Sequence, residues 1–181
     1  MRVCFLRHSL AVICCGFVAS TCFGADGWRW RTNKLDNGQL LLAFTETEAT
    51  DDLGALRFYC RPASGRIDVF SSAGEKERKI LADFIRSDAY PKVQLEGEAS
   101  FVEPSFSEVA GWEYHFEIGA DGAVFNKFKN TGRFGFKFGS HTADFGSNPI
   151  AKSGLDKVAE FQAQCRKPAV DGAPRGAKAQ Q

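Results

Sequence analysis

The sequence predicts an α+β fold that is mainly β: an antiparallel β-sandwich or curved meander sheet with one central helix and a C-terminal helix. Two patterns lead to this fold class. Apolar and polar residues alternate in short runs separated by turn residues, which is typical of antiparallel strands with one buried face. Two other stretches repeat apolar residues at helical spacing. Nine of the 17 phenylalanines lie between Phe101 and Phe145, so we expect the main core there.

The first 24 residues have the features of a cleavable signal peptide. Arg2 and Arg7 form a positive start, and an uncharged, largely apolar run extends from Ser9 to Gly24. This run is shorter than the roughly 20 apolar residues that cross a bilayer, and small residues suited to cleavage stand at its end. We therefore expect export to the periplasm and no transmembrane span. A lipidated Cys22 is the alternative.

Removal of the signal peptide sets the limits of the remaining chain. Residues 25–167 have the length of a single β-rich domain. Residues 168–181 are rich in Pro, Gly, Ala, Lys and Gln without apolar periodicity, so we expect a disordered tail. Loss of two arginines and no acidic residue changes the formal net charge from +1 to −1. Such a balance gives no reason to expect nucleic acid as a partner.

Two cysteines remain after cleavage, Cys60 and Cys165, because the other four lie in the signal peptide. In an oxidising compartment such a pair usually forms a disulfide. Closing a loop of about a hundred residues contributes on the order of 4 kcal/mol to stability. Two free buried thiols are the alternative. The spacing excludes a CxxC redox or metal motif.

Strands are predicted where residues alternate between turn signals. They are expected at 28–31, 40–44, 56–60, 66–69, 92–96, 99–103, 112–118, 124–129 and 133–139. Asn37-Gly38 is a strong turn signal for the opening hairpin. In the next pair, Cys60 shares an apolar face with Leu56 and Phe58, which is where a buried disulfide is expected.

Two helices are predicted from the spacing of their apolar residues. The central helix covers about 74–87, and the C-terminal helix continues from Leu155 to Cys165. The final cysteine would attach this last helix to the second strand pair. A capping-box pattern precedes each helix: Ser72 with Glu75, and Ser153 with Asp156.

Candidate catalytic and metal sites lack convergent residues. Glu113, His115 and Glu117 lie on one face of a strand, but no motif supplies further metal ligands, so a solvated strand face is preferred. Ser140 and His141 are adjacent and should point to opposite faces of a strand, which separates a nucleophile from its base. We expect no enzyme activity, no metal and no cofactor.

A basic face is the candidate binding site. Residues 124–138 are expected to form a hairpin in which Lys127, Lys129, Arg133 and Lys137 project from one side and phenylalanines from the other. Such a face suits an envelope polymer, lipid headgroups or an acidic protein partner. The alternative is that these charges keep an edge hairpin soluble and prevent edge-to-edge pairing.

Three features together resemble a diffuse group of small exported proteins of Gram-negative bacteria. They are Thr50-Asp51-Asp52 before the strand that ends in Cys60, Ala63-Ser64-Gly65 leading into Arg66-Ile67-Asp68-Val69, and Gly154-Leu155, Phe161 and Cys165 in the closing helix. The group includes the invasion-associated locus B proteins and the periplasmic accessory proteins encoded with type VI secretion systems. This resemblance implies an envelope location and a small β-rich fold. It assigns no catalytic residue.

We therefore expect a non-enzymatic periplasmic protein that binds another protein or an envelope component. Two alternatives come from other classes. One is an inhibitor or immunity protein against a cell-wall hydrolase, since the chain is also similar in size and cysteine content to periplasmic lysozyme inhibitors. The other is a carrier of a small apolar ligand, for which an enclosed apolar pocket within the phenylalanine-rich meander would be needed.

Overall fold

The computed structural model of the protein describes residues 27–46, 55–87, 91–108, 111–146 and 152–168. The expected signal peptide and all but the first residue of the expected tail lie outside these ranges. Within them, two antiparallel sheets of six and four strands pack with three helices. The fold is thus α+β and mainly β, as the alternating runs predicted.

The strands and helices follow in this order along the chain. The strands are β1 (Arg29–Lys34), β2 (Leu40–Thr45), β3 (Leu56–Cys60), β4 (Arg66–Ser72), β5 (Lys92–Leu95), β6 (Glu98–Phe101), β7 (Glu103–Ser107), β8 (Gly111–Gly119), β9 (Phe134–Phe138) and β10 (His141–Phe145). The helices are α1 (Glu75–Ser87), α2 (Ala123–Thr131) and α3 (Leu155–Cys165). The larger sheet has the order β1-β2-β3-β4-β8-β7, and the smaller has the order β10-β9-β5-β6.

A bent segment joins the two sheets. Only Val102, which is fully buried, separates β6 from β7. β7 pairs with β8 starting at Glu103↔His115, while β6 pairs with β5 in the other sheet. The Glu117 N–H of β8 donates to Ser100 Oγ of β6 at 3.3 Å, so the two sheets stay close beyond the bend. The chain therefore curves around one core.

Aromatic rings fill this core. Six of the nine phenylalanines between 101 and 145 are buried in it, but strands β1 to β5 and the helices α1 and α3 supply about half of the core residues, so the core is not confined to that stretch. The Phe58 ring lies 5.1 Å from that of Phe128 and 5.0 Å from that of Phe134, and Tyr114 stacks on Phe138 at 5.1 Å. Such pairs contribute about 0.5–1.5 kcal/mol each beyond the area that they bury.

The expected hairpins β1–β2 and β3–β4 and the helices α1 and α3 are confirmed, but the two capping boxes are wrong. Ser72 is the last residue of β4, and the first backbone bond of α1 runs from the Arg78 N–H to the Gly74 carbonyl at 2.9 Å. Gly154 precedes α3 in the left-handed conformation, with φ of 82°, and no side chain caps this helix. The Ser153 carbonyl accepts instead from the Trp30 N–H of β1 at 3.0 Å.

The Cys60–Cys165 disulfide is confirmed. Its Cα atoms are 5.9 Å apart, and both residues are buried. Next to it, the Ala63 and Gly65 N–H groups donate to the Gln164 and Cys165 carbonyls at 2.8 and 2.7 Å. The turn between β3 and β4 thus donates to the last two carbonyls of α3, which have no hydrogen-bond partner within the helix.

The strand expected at 124–129 is wrong, because these residues belong to α2. Val124, Phe125 and Phe128 are all buried, and this spacing fits one face of a helix but no face of a strand. The glycines on either side of α2 are its caps: Gly122 is extended, and Gly132 is left-handed with φ of 72°. β7 and β10 are also absent from the predicted strands, so the described residues contain ten strands rather than the nine predicted.

Candidate functional site

Three of the four expected basic residues line one groove. Lys127 lies on α2, Arg133 follows that helix, and Lys137 lies on β9. Lys129 is half-buried on another face of α2 and does not line the groove. The hairpin expected at 124–138 is wrong, but a helix and a strand bring three of its cations to the same place.

The groove is an open depression of about 680 Å³ between α2, the end of β5 and the strands β9 and β10. Val124, Lys127 and Thr131 recur at intervals of three and four residues, so they form one wall from a single face of α2. Buried Phe136 and half-buried Leu95 add apolar surface. The groove therefore combines an apolar base with a charged rim.

Divergence of β5 from β9 opens this groove. The two strands pair only at Val93↔Phe138 and Gln94↔Lys137. β5 continues instead as a hairpin with β6, and Glu96 at the tip of that hairpin contacts Lys127 Nζ at 2.5 Å. The tip is thus held by α2, and the edge of β9 that is not paired with β10 faces the groove in the first half of the strand.

The rim carries an excess of positive charge. Lys127 pairs with Glu96 at 2.5 Å, and Arg133 Nη2 pairs with Asp144 Oδ2 at 2.6 Å. These four side chains are between 42% and 60% exposed, so each pair contributes at most about 1 kcal/mol and a ligand carboxylate can replace the partner. Lys137 is exposed and has no acidic partner among the described residues.

Glu113, His115 and Glu117 share the outer face of β8, but this face is less solvated than expected, because the Glu113 side chain is only 12% exposed and each of the three contacts a different partner. Glu113 contacts Arg57, and Glu117 contacts Arg66. His115 Nε2 lies 3.1 Å from Glu103 Oε2. In the part of the chain that the structure describes, no group of three His, Cys, Asp or Glu side chains is arranged to hold a metal ion.

The same outer face holds two groups with perturbed acidity. Burial is the largest effect that raises the pKa of the Asp68 carboxyl, and the neighbouring charge of Glu117 raises it further. Burial also raises the pKa of the Tyr59 hydroxyl. The Phe70 ring stacks on His115 with centroids 4.8 Å apart. Packed rings and ion pairs therefore cover this side of the larger sheet.

His141, Ser140 and Asp144 do not act together. His141 Nε2 lies 2.8 Å from Glu77 Oε1 and so connects β10 to α1. Asp144 pairs with Arg133 at the groove, and Ser140 lies exposed in the turn between β9 and β10. His141 and Asp144 thus have separate partners, and neither is shown to contact Ser140, which does not match the geometry of a nucleophile, a base and an orienting acid.

Sequence reasoning missed Leu95, Glu96 and Gly135, which also line the groove. One signal for Gly135 was present, since a glycine inside an aromatic strand often marks a place where another backbone approaches closely. Nothing in the sequence shows that β5 and β9 diverge, because this depends on contacts between distant parts of the chain.

No described helix is long and apolar enough to cross a bilayer. Comparisons with protein-family models, with curated proteins and with solved structures find no match. The fold and the groove thus define the class of this protein: an α+β domain with a disulfide and an open, basic surface groove.

Proposed function

We propose that the mature chain is a periplasmic, non-enzymatic binding protein whose groove between α2, β5 and β9 takes an acidic segment of another envelope protein. The observation that supports this most is the convergence of Lys127, Arg133 and Lys137 on one groove with an apolar base. Cations arranged in this way attract a negatively charged partner and select against other partners.

The apolar base favours a protein segment over a polymer or a lipid headgroup. Anionic polymers and lipid headgroups present charge and hydroxyl groups, for which a cationic rim alone is sufficient. Leu95, Val124 and Phe136 add surface that a ligand covers well only with apolar side chains. An apolar centre with a polar rim is typical of interfaces between proteins.

Export is supported by the covalent structure. Cys60 and Cys165 are buried and joined by a disulfide, which is usual in the periplasm and rare in the cytosol. The positive start and apolar run of the first 24 residues agree with the same compartment.

The packing of the domain supports a surface site over an interior one. Phe125, Phe128 and Phe134 surround Phe58 with ring centroids 5.0 to 5.5 Å away, so rings occupy the centre where a carrier would hold an apolar ligand. The histidines and acids that could serve catalysis have separate structural partners. Binding at the groove therefore has better support than transport or catalysis.

Photo-crosslinking in the native cell tests this function. A photoreactive amino acid replaces Gln94, an exposed residue of the groove, or Lys34, an exposed residue of β1 that serves as the matched control. We expect one envelope protein to crosslink at position 94 and not at 34, and the purified partner to bind in a defined ratio. Lys137→Glu should remove this crosslink.

Equal crosslinking from both positions would contradict the proposal, because it would indicate non-specific proximity. A crosslink at position 94 that persists with Lys137→Glu would also contradict it, since the cationic rim would then contribute nothing to binding. A Lys34→Glu variant with the probe at 94 checks that any loss comes from the groove and not from a change in overall charge.

A further inference from the structure

The turn between β9 and β10 determines which way the backbone of β9 points. The two strands are joined by two residues, 139–140, with Gly139 at φ of 57°, so Phe138 and His141 form a hydrogen-bonded pair. In antiparallel strands such pairs alternate with pairs that lack these bonds. The N–H and C=O groups of Lys137 and Gly135 therefore point away from β10, toward the side of β5.

β5 reaches only one of these two residues. Gln94 lies opposite Lys137, where the pairing of the two strands ends, and no residue of β5 pairs with Gly135. Gly135 is exposed and lines the groove. Because glycine has no side chain, a second backbone can approach it closely. The groove thus contains a strand edge at Gly135 that a ligand backbone can use.

We infer that the groove binds its ligand as an added β-strand, with the ligand backbone paired to the edge of β9 at Gly135. This inference rests on the proposed function and adds the form of the ligand. Strand addition gives affinity through main-chain hydrogen bonds, and alternate side chains give specificity.

Neighbouring side chains define the pattern of such a ligand. In an added strand, side chains opposite Phe136 point inward, where Leu95 and Val124 lie. Those opposite Gly135 point outward, toward the positive rim between Arg133 and Lys137. The ligand is therefore an extended segment in which apolar and acidic residues alternate.

Charge supports an acidic occupant. Glu96 and Asp144 already contact Lys127 and Arg133, while Lys137 has no acidic partner among the described residues. An acidic ligand residue beside Lys137 supplies the missing partner. A hydrogen bond between charged groups is roughly twice as strong as one between neutral groups.

Hydrogen exchange followed by NMR tests the inference with a synthetic probe. The probe is an acetylated peptide of about seven alternating glutamate and valine residues, a common length for one strand. A second peptide carries N-methyl groups on its central amides, and a third has lysine in place of glutamate. The protein is the exported, disulfide-bonded chain.

We expect saturation with the probe to slow exchange of the Gly135 amide by about tenfold or more, with no change at Gly119 of β8 as the internal control. The N-methylated and lysine peptides should not bind. Lys137→Glu should weaken binding of the probe by about tenfold, whereas Lys34→Glu should leave it unchanged.

Several results would overturn the inference. Absence of probe binding, equal binding of the N-methylated peptide, or binding without protection of Gly135 would each exclude strand addition. Self-association that protects Gly135 without peptide would assign the edge to a second copy instead. The crosslinking experiment is independent of the probe, so a crosslink lost with Lys137→Glu would preserve the proposed function even where strand addition fails.

Discussion

The Cys60–Cys165 disulfide offers the sharpest test of how this domain is stabilised. It joins residues 105 positions apart, and both cysteines are buried. Replacing both with alanine removes the crosslink without leaving a polar group in the core. The backbone bonds from Ala63 to Gln164 and from Gly65 to Cys165 stay available, so we expect the variant to fold.

The magnitude follows from the length of the closed loop. The chain-entropy model assigns about 4.7 kcal/mol at 25 °C to a crosslink that closes a loop of roughly 100 residues. Removing two buried sulfur atoms adds about 1 kcal/mol for the space left behind. We expect the free energy of unfolding to fall by about 4 to 6 kcal/mol. In a domain of this size, that corresponds to a loss of about 10 to 20 °C in Tm.

Urea denaturation of three samples measures this effect: the oxidised protein, the reduced protein and the double-alanine variant. The reduced and double-alanine proteins should agree within about 1 kcal/mol, since both lack the same restraint on the unfolded chain. A loss below about 2 kcal/mol with an unchanged dependence on urea would refute the reasoning. It would show that the crosslink does not restrain the unfolded state as its loop length requires.

Two further substitutions test local features. Gly154→Ala should lower the free energy of unfolding by about 2 kcal/mol or more, because its Cβ would lie 2.6 Å from the Trp30 carbonyl oxygen. Gly38→Ala is the control: Gly38 has nearly the same φ but lies in open space, so this change should cost about 1 kcal/mol. Equal losses of stability in thermal unfolding would contradict the clash. Asp68→Asn should raise Tm at neutral pH but not well below the ordinary carboxyl pKa. Folding raises the pKa of the Asp68 carboxyl, so its ionisation lowers the stability of the folded state as pH rises from the ordinary carboxyl pKa through the raised one. A Tm difference between the two proteins that does not depend on pH would contradict this explanation.

Long alternating strands could be predicted, since their pattern repeats over enough residues to exclude a helix. β8 is the clearest case: Tyr114 and Phe116 are buried, while Glu113 and Glu117 lie on the other face. The Cys60–Cys165 disulfide could also be predicted, because the expected cleavage leaves only two cysteines. These inferences use local pattern or simple counting and need no knowledge of distant contacts.

The helix α2 could not be identified with the same rules. Its nine residues are bounded by Gly122 and Gly132, and glycines at such positions serve equally as hairpin turns or as helix caps. The buried triplet of Val124, Phe125 and Phe128 was the signal that distinguishes the two. A short segment with turn residues at both ends is thus better assigned from the spacing of its apolar residues than from the glycines that flank it.

The groove could not be predicted from the sequence, because it depends on tertiary structure. Lys127, Arg133 and Lys137 were expected on one face of a hairpin, but they come together because α2 packs beside β9. The free edge at Gly135 exists because the tip of the β5–β6 hairpin contacts α2 instead of following β9. Neither arrangement leaves a local pattern in the sequence.

The contact between the two ends of the described chain determines when folding can finish. Trp30 of β1 donates to Ser153 before α3, and Cys60 is bonded to Cys165, so the opening strands need the last helix to complete their packing. If the chain is exported from its N-terminus, as proposed, Cys60 reaches the oxidising compartment long before Cys165 and waits there as a thiol or a mixed disulfide. Closure of the domain would then be a late, post-translocation event, limited by arrival of its final helix.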